Sequence, residues 1–347
     1  MAYILGIESS CDDVAAAVFD TDYNKVISSC LFSQIDLHAQ YGGVVPEIAS
    51  REHMKQIRPI IEQALQEAAI SLQDLDAIAV TNKPGLAGSL LIGLSFGKTL
   101  AWSLGIPLIA IDHLEGHIFS SFLEVDGNVR KIPFPHACFS ASGGHTSLHI
   151  VHGFGEYERI GSTSDDAAGE AFDKISKLIG LGYPGGPIIE QLATQEHFVD
   201  YFSYPRLKHK PDKYDFSFSG LKTAVMYDAV KRGFLDSEKY KPTPLLTPTV
   251  QRHIASSLLV CIGDIFVNMV KRVFKAYPEL TGLTFVGGVA CNKYLRSRLE
   301  VCMKNRNKFF IATPPKFCTD NAGMISLVGS FKFDNQEFSA LTTDIFE

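Results

Sequence analysis

The chain lacks the features that organise many small or secreted proteins. Its seven cysteines (Cys11, Cys30, Cys138, Cys261, Cys291, Cys302, Cys318) are scattered, odd in number and never at Cys-x-x-Cys spacing. That counts against a disulfide framework or a zinc ribbon and fits reduced thiols. Basic charge is not in excess: the formal net charge is −6. A protein that coats nucleic acid nonspecifically is thereby disfavoured, although a local basic patch or a basic partner could still supply phosphate contacts. Met1 runs directly into "AYILGIESS", with no basic leader, cleavage site or Arg-rich amphipathic segment, so a cytoplasmic location is expected. No apolar run is uninterrupted enough to cross a membrane. The nearest, residues 87–111, carries Lys98 near its middle and is broken at Gly105-Ile106-Pro107; it predicts a buried helix followed by a core strand.

What remains is an ordinary globular composition, 46% hydrophobic and 20% charged over 347 residues, long enough for about two domains. The first half reads as strand, turn at Cys11-Asp12-Asp13, strand, strand, and then a helix entered at Pro46. Strand "LDAIAVTNK", helix "SLLIGLSFGKTLAWSLG", strand "PLIAID" and helix "HLEGHIFSSFL" follow. The second half repeats the plan from "PHACFSASGGHTSLHIVHG" onward, with an insertion at about 160–245 and a long amphipathic helix after it. Two α/β copies around a ligand cleft are expected. The first copy is placed at 1–130, completed by a C-terminal helix at 321–347, and the second at 131–320.

His113-Leu114-Glu115-Gly116-His117 places two imidazoles four residues apart, on one face of a helix. In the zinc-peptidase pattern His-Glu-x-x-His the general-base glutamate directly follows the first histidine. Here Leu114 stands there and the acid is Glu115, about 100° further around the helix. A metal is indicated and a peptidase is not. Asp320, after the strand "FFIA" of the second copy, is the expected third ligand. Two histidines and a carboxylate leave coordination positions open, which suits iron or another transition metal that also grips a ligand.

The first turn, "GIESSCDD", sets Glu8, Ser9, Ser10, Asp12 and Asp13 beside a strand reversal, where acids and hydroxyls could work near a phosphate. Its companion, "SASGGHTS", carries Ser140, Ala141, Ser142, Gly143 and Gly144, with room for backbone N–H groups to meet an anion. "GLSFGKT" is not a P-loop: three residues rather than four separate its glycines, and its pattern is helical. "GGVACNKYL" presents Asn292 at a helix entrance, as an N-cap or as a nucleotide-reading amide. "GEAFDK" and "GYPGGP" supply Asp173, Gly185 and Gly186, a pattern open to ribose hydroxyls or to a plain loop. The stretch 204–223 interleaves Arg206, Lys208, Lys210, Lys213 and Lys222 with aromatic rings. That suits either a single-stranded nucleic-acid loop or a solvated basic loop.

Taken in order, "GIESSCDD", "YGGVVPEIASREH", "HLEGH", "SGGHT", "DDAAGEAFDK", "YPGGP", "DFSFSGLKT", "GGVACN" and "FCTDN" resemble the tRNA threonylcarbamoyladenosine transferase family, bacterial TsaD type. The match spans nearly the whole chain. Families of this type were formerly labelled sialoglycoprotein endopeptidases. The resemblance implies a duplicated actin/sugar-kinase/Hsp70-like fold and transfer of threonylcarbamoyl from threonylcarbamoyl-AMP to the adenosine 3′ of the anticodon. It implies His113, His117 and Asp320 as ligands of one divalent metal per subunit, Fe2+ first, with Zn2+ or Mg2+ as alternatives. It implies nucleotide contacts at Ser140 through Gly144, Asp173, Gly186 and Asn292, with Glu190 as a further one, and Glu8, Asp12 and Asp13 as catalytic acids. Asp13 stands where relatives usually carry Glu, one methylene longer. Implied partners are tRNA, a degenerate TsaB-type paralogue, a small TsaE-type ATPase and the synthase that supplies threonylcarbamoyl-AMP, with no membrane. A kinase of the same fold, or a noncatalytic nucleotide-binding subunit, is the competing expectation.

Overall fold

A computed structural model describes residues 2–41, 43–206 and 213–347. The strands are β1 Tyr3–Glu8, β2 Val14–Asp20, β3 Lys25–Phe32, β4 Ala77–Lys83, β5 Leu108–Asp112, β6 His136–Ala141, β7 Thr146–Gly153, β8 Glu156–Ser162, β9 Gly282–Val286 and β10 Phe309–Ala312. The helices are α1 Ile35–Ala39, α2 Pro46–Ala68, α3 Ala87–Leu104, α4 His113–Ser120, α5 Ala168–Leu178, α6 Gly185–Gln195, α7 Ser219–Lys231, α8 Pro248–Ala276, α9 Lys293–Lys304 and α10 Ala322–Asp334. They group into two compact units, one made of Met1–Ile132 with Thr313–Glu347, the other of Pro133–Ala312.

In the first unit the sheet order is β3-β2-β1-β4-β5. The β1–β2 and β2–β3 pairs are antiparallel, and β1–β4 and β4–β5 are parallel. All seven residues of β2, VAAAVFD, are buried, as expected of a strand covered on both faces. On one face Leu5, Ile7, Val18, Ile78 and Val80 share a core with Ile57, Ile61 and Leu65 of α2 and Leu94 of α3. Each such side chain contributes about 1.5–3 kcal/mol on burial. On the other face α10 lies directly on the strands: a Cβ at Gly6 would sit 2.5 Å from the Ala322 carbonyl oxygen, and one at Gly329 2.5 Å from Ala79 Cβ. Replacing Gly6 by valine would push α10 off the sheet.

The sequence pattern differs from this structure at the C-terminus. The chain returns to the first unit at Thr313 rather than 321, so Asp320 belongs to the same unit as the two histidines. The last helix ends at Asp334, where Gln336 takes a left-handed φ of 58°. The segment after it borders β5: Ser339 donates its N–H to the Leu108 carbonyl at 2.8 Å, and its hydroxyl accepts from Ala110 N–H at 2.9 Å. That covers an otherwise unpaired strand edge. The expected helix from His113 to Leu123 stops at Ser120, and α1 and β8 were not anticipated.

The second unit repeats the plan. Its order, β10-β9-β6-β7-β8, has β6 central, antiparallel to β7 and parallel to β9. Its core is aromatic: Phe139 lies 4.5 Å from Phe266, 5.3 Å from Phe216 and 5.6 Å from Phe285, ring centre to ring centre. Phe266 comes from α8. Among the described residues α8 is the one helix long and apolar enough to cross a bilayer, and 78% of its most apolar window is buried inside the protein. The 87–111 run forms α3 and β5, as its composition predicts. Within the insertion, Asp165 accepts from the N–H groups of Phe218 at 2.7 Å and Ser219 at 3.2 Å. This anchors the first turn of α7 with a carboxylate where N–H groups are unpaired.

Candidate metal centre

Local capping fixes the three expected ligands of the first unit. Asp112 ends β5 and accepts from the N–H groups of Leu114 at 2.8 Å and Glu115 at 3.4 Å. The N-cap starts α4 at His113 and places His117 one turn later. Asn321 accepts from Met324 N–H at 2.9 Å to open α10. Its amide also donates to the Phe317 and Thr319 carbonyls at 3.1 and 2.8 Å, holding the loop that carries Asp320. Gly116 lets the two helices meet, since a Cβ there would lie 3.0 Å from Ile325 and 3.1 Å from Met324.

The result is convergence. His117 Nε2 is 3.1 Å and His113 Nε2 3.4 Å from Asp320 Oδ1, and one ligand atom from each residue lies within 4.8 Å of the others. The imidazoles meet edge to face, with centroids 4.6 Å apart. Both histidines are buried, while the Asp320 side chain keeps 24% of its exposure. Burial works against the charged forms of His113 and Asp320. The Glu8 and Asp320 carboxylates nevertheless hold His113 well above its ordinary range, and His113 with His117 hold Asp320 well below the usual carboxylate range. Such a cluster binds a cation by exchanging it for a proton. The donor set, two imidazoles and a carboxylate with open positions, fits a transition metal.

Glu115 does not join this cluster. It is buried and accepts an ion pair from Lys332 Nζ of α10 at 3.0 Å. The acid between the histidines is therefore a structural partner for a lysine, which removes the peptidase base from the site.

Around the first turn, Glu8 has no exposure at all. Its Oε1 accepts from Ser10 N–H at 2.6 Å, and its Oε2 accepts from the Thr81 hydroxyl at 2.6 Å and lies 3.1 Å from His113 Nδ1. Burial opposes its charge, but His113 beside it keeps the carboxyl below the ordinary range. Ser10 Oγ also lies 3.1 Å from His113 Nδ1. The turn closes against the loop before α3: Leu86 N–H donates to the Ser10 carbonyl at 2.7 Å, and Gly85 has no room for a Cβ there. Asp12 and Asp13 are partly exposed, and burial pushes the Asp13 carboxyl up to about 7. Ser10 was expected in this turn, but Thr81 escaped the sequence because nothing local marks it; only the fold brings it to Glu8.

The expected nucleotide residues all lie in the second unit, at the end of β6 and the turn after it, in α5 and α6, and at the start of α9. Ser140 is buried at the end of β6, and Gly143 and Gly144 face open space, where an added Cβ would meet nothing within 4 Å. Gly169, at the start of α5, donates its N–H to the Ser142 carbonyl at 3.1 Å. Asp173 accepts from Gly185 N–H at 2.6 Å, and burial raises its carboxyl. Gly185 is obligatory at that contact, with a Cβ 2.5 Å from the Phe172 carbonyl, whereas Gly186 faces open space. Glu190 and Asn292 converge at the start of α9: Glu190 accepts from Lys293 and Tyr294 N–H at 2.6 and 3.2 Å, and Asn292 caps through Leu295 N–H at 2.9 Å. Both have a structural engagement that the sequence reading gave only to Asn292. Of the basic stretch, Arg206 is committed to Asp200 and Asp264 at 2.7 and 2.8 Å, while Lys208 and Lys210 lie outside the described residues. "GLSFGKT" is the interior of α3, where a Cβ at Gly97 would lie 3.3 Å from Val80.

Known proteins resemble this chain along its length. Residues 25–327 match the family model described as TsaD, tRNA N6-adenosine threonylcarbamoyltransferase. A protein of that name from Rhizobium etli is 46% identical over 330 residues, 94% of this chain and 87% of the relative. Another from Desulforapulum autotrophicum is 42% identical over 344 residues, 99% and 98%. Among solved structures, HypF from T. kodakarensis superposes with a TM-score of 0.62 at 11% identity, covering 96% of this chain and 48% of its own. The fold is the actin/sugar-kinase/Hsp70-like one.

Proposed function

Because the chain belongs to the TsaD family of tRNA N6-adenosine threonylcarbamoyltransferases, we propose that it transfers threonylcarbamoyl from threonylcarbamoyl-AMP to the adenosine 3′ of the anticodon in tRNAs reading codons that begin with A. The observation that carries this reading is the convergence of His113, His117 and Asp320 in a chain matching that family from residue 25 to 327.

The exocyclic amine of the adenosine attacks the carbamoyl carbonyl carbon. A C–N bond forms, the bond from that carbon to the phosphate oxygen breaks, AMP leaves with the electron pair, and the amine releases a proton to water. His113, His117 and Asp320 would hold a divalent ion, Fe2+ by preference and otherwise Zn2+ or Mg2+, which would supply Lewis-acid charge for the phosphate. Asp12 orients the amine, and little basicity is required of it because the mixed anhydride is already activated. Asp13, shorter than the usual Glu, serves the same turn. Ser140, Ala141, Ser142, Gly143 and Gly144 bind the nucleotide, the glycines through backbone N–H groups with open space before them. Asp173, Gly186, Glu190 and Asn292 complete its recognition.

We assign this chemistry to the cytoplasm, with tRNA as substrate, a TsaB-type paralogue and a TsaE-type ATPase as partners, and a separate synthase supplying threonylcarbamoyl-AMP. A net charge of −6 supports a tRNA surface shared with a partner. Nucleoside mass spectrometry of tRNA from cells depleted of this protein tests the reading. Threonylcarbamoyladenosine should disappear and return with the wild-type chain but not with Asp320→Ala. Its persistence in depleted cells would sink the proposal.

A further inference from the structure

Glu8 sits at the end of β1, in the turn expected to supply catalytic acids, yet it is completely buried and its carboxylate is surrounded by this chain's own groups. Both oxygens are engaged. Oε1 takes the Ser10 N–H at 2.6 Å, and Oε2 takes the Thr81 hydroxyl at 2.6 Å while facing His113 Nδ1 at 3.1 Å. A carboxylate so placed touches no substrate. It instead addresses the nitrogen of His113 opposite the one directed at Asp320.

We propose that Glu8 is a positioning residue of the metal centre rather than a catalytic acid, and that Thr81 is the residue that positions Glu8. The physical grounds are specific. An imidazole that ligates a metal through Nε2 must carry its proton on Nδ1, and an anionic acceptor at Nδ1 fixes that tautomer, aims the ring and makes Nε2 a better donor. Glu8 is the charged acceptor within reach. Ser10 Oγ, also 3.1 Å from Nδ1, is the neutral and weaker one. Thr81 keeps Oε2 from rotating away, because its hydroxyl and His113 share that oxygen. The two histidines are not equivalent. Among the described residues His117 Nδ1 is buried with no hydrogen-bond partner, so of the two histidines His113 is the one oriented by a described carboxylate.

The assignment rests on the metal reading of the site, and Co2+ as a probe separates the two. Its affinity for the metal-free, full-length protein is measured by competition with a chelator, its d–d absorption reports ligand geometry, and thermal unfolding of the metal-free protein reports the fold. Glu8→Gln should weaken Co2+ binding about 10- to 100-fold and change the d–d band, with transfer activity largely recovered at saturating metal. Thr81→Val should shift affinity in the same direction by a smaller factor, and Ser10→Ala by less than Glu8→Gln. If Glu8→Gln binds Co2+ with wild-type affinity and spectrum, the positioning role is overturned, whatever happens to activity or unfolding temperature. The same holds if affinity falls but saturating metal restores nothing, since Glu8 would then act in the chemistry itself. A wild-type protein that binds no Co2+, or a His117→Ala variant that binds it unchanged, overturns the metal centre and the positioning role with it.

Discussion

The two units lay down five strands in the same order and the same senses, yet they finish their central strands differently. β1 ends on a buried glutamate and runs into a turn of serines, a cysteine and two aspartates; β6 ends on an alanine and runs into Ser142-Gly143-Gly144-His145. The first turn presents side-chain charge to histidines on a following helix, while the second clears space for backbone groups. His113 follows the same division, although His53 of the first unit is lowered by burial as the second unit's histidines are. In the first unit carboxylates hold His113 well above its ordinary range, whereas in the second burial pushes His136 and His149 down to about 4. One duplicated scaffold thus ends its equivalent strands in two kinds of turn, one of charged side chains and one of small residues with open space before them.

The largest test of that contrast is removal of a ligand. Asp320→Ala should abolish stoichiometric metal binding and cut transfer by about 10²- to 10³-fold, measured by metal analysis and threonylcarbamoyl incorporation, while nucleotide binding by the second unit persists. Loss of both functions would erase the division.

Next in size is acid. For His136 and His149 the folded value lies below the unfolded one of about 6.5, so their neutral burial stabilises above that pH and is lost as pH falls through about 4, on the order of 3 kcal/mol each. In the metal-free first unit His53 is lowered as well, but His113 and Asp13 are raised, so their contribution is full at low pH and is lost as pH rises through their folded values. Hydrogen exchange between pH 7 and pH 4 should therefore show β6 and β7 losing protection before β1 and β2. Equal loss in both sheets breaks the comparison.

A smaller effect separates structure from chemistry within the first unit. Lys332→Met leaves Glu115 buried without its cation and should cost about 1–3 kcal/mol in denaturant unfolding, with metal affinity and saturated transfer rate close to wild type. A lost rate at unchanged stability would restore Glu115 as a base. Smallest is Gly143→Ala, whose Cβ enters open space. Stability should move by less than about 0.5 kcal/mol, while KM for the adenylate rises several-fold and metal affinity does not change.

The repeated plan was legible because β1, β2, β6 and β7 are short apolar runs bounded by turn residues, and α2 carries a clear start at Pro46. The convergence of His113, His117 and Asp320 was legible from spacing plus the position of Asp320 after a strand. Which unit Asp320 joins was not, because β10 and α10 read as one strand-to-helix unit while the boundary falls between them at Thr313. Nor was the work of Glu8 or Glu115. Their partners stand 105 and 217 positions away in the chain, and a carboxylate's burial is decided by that distant packing rather than by its neighbours in sequence.

The return of residues 313–347 to the first unit has a consequence in time. During synthesis both histidines emerge early, but the aspartate that faces them follows only after every residue of the second unit has been made. The second unit can fold as a contiguous segment while the first still lacks α10 across its sheet. A nascent chain thus carries two members of the candidate trio throughout synthesis of the second unit, and the trio closes only after residues beyond Ala312 have been made.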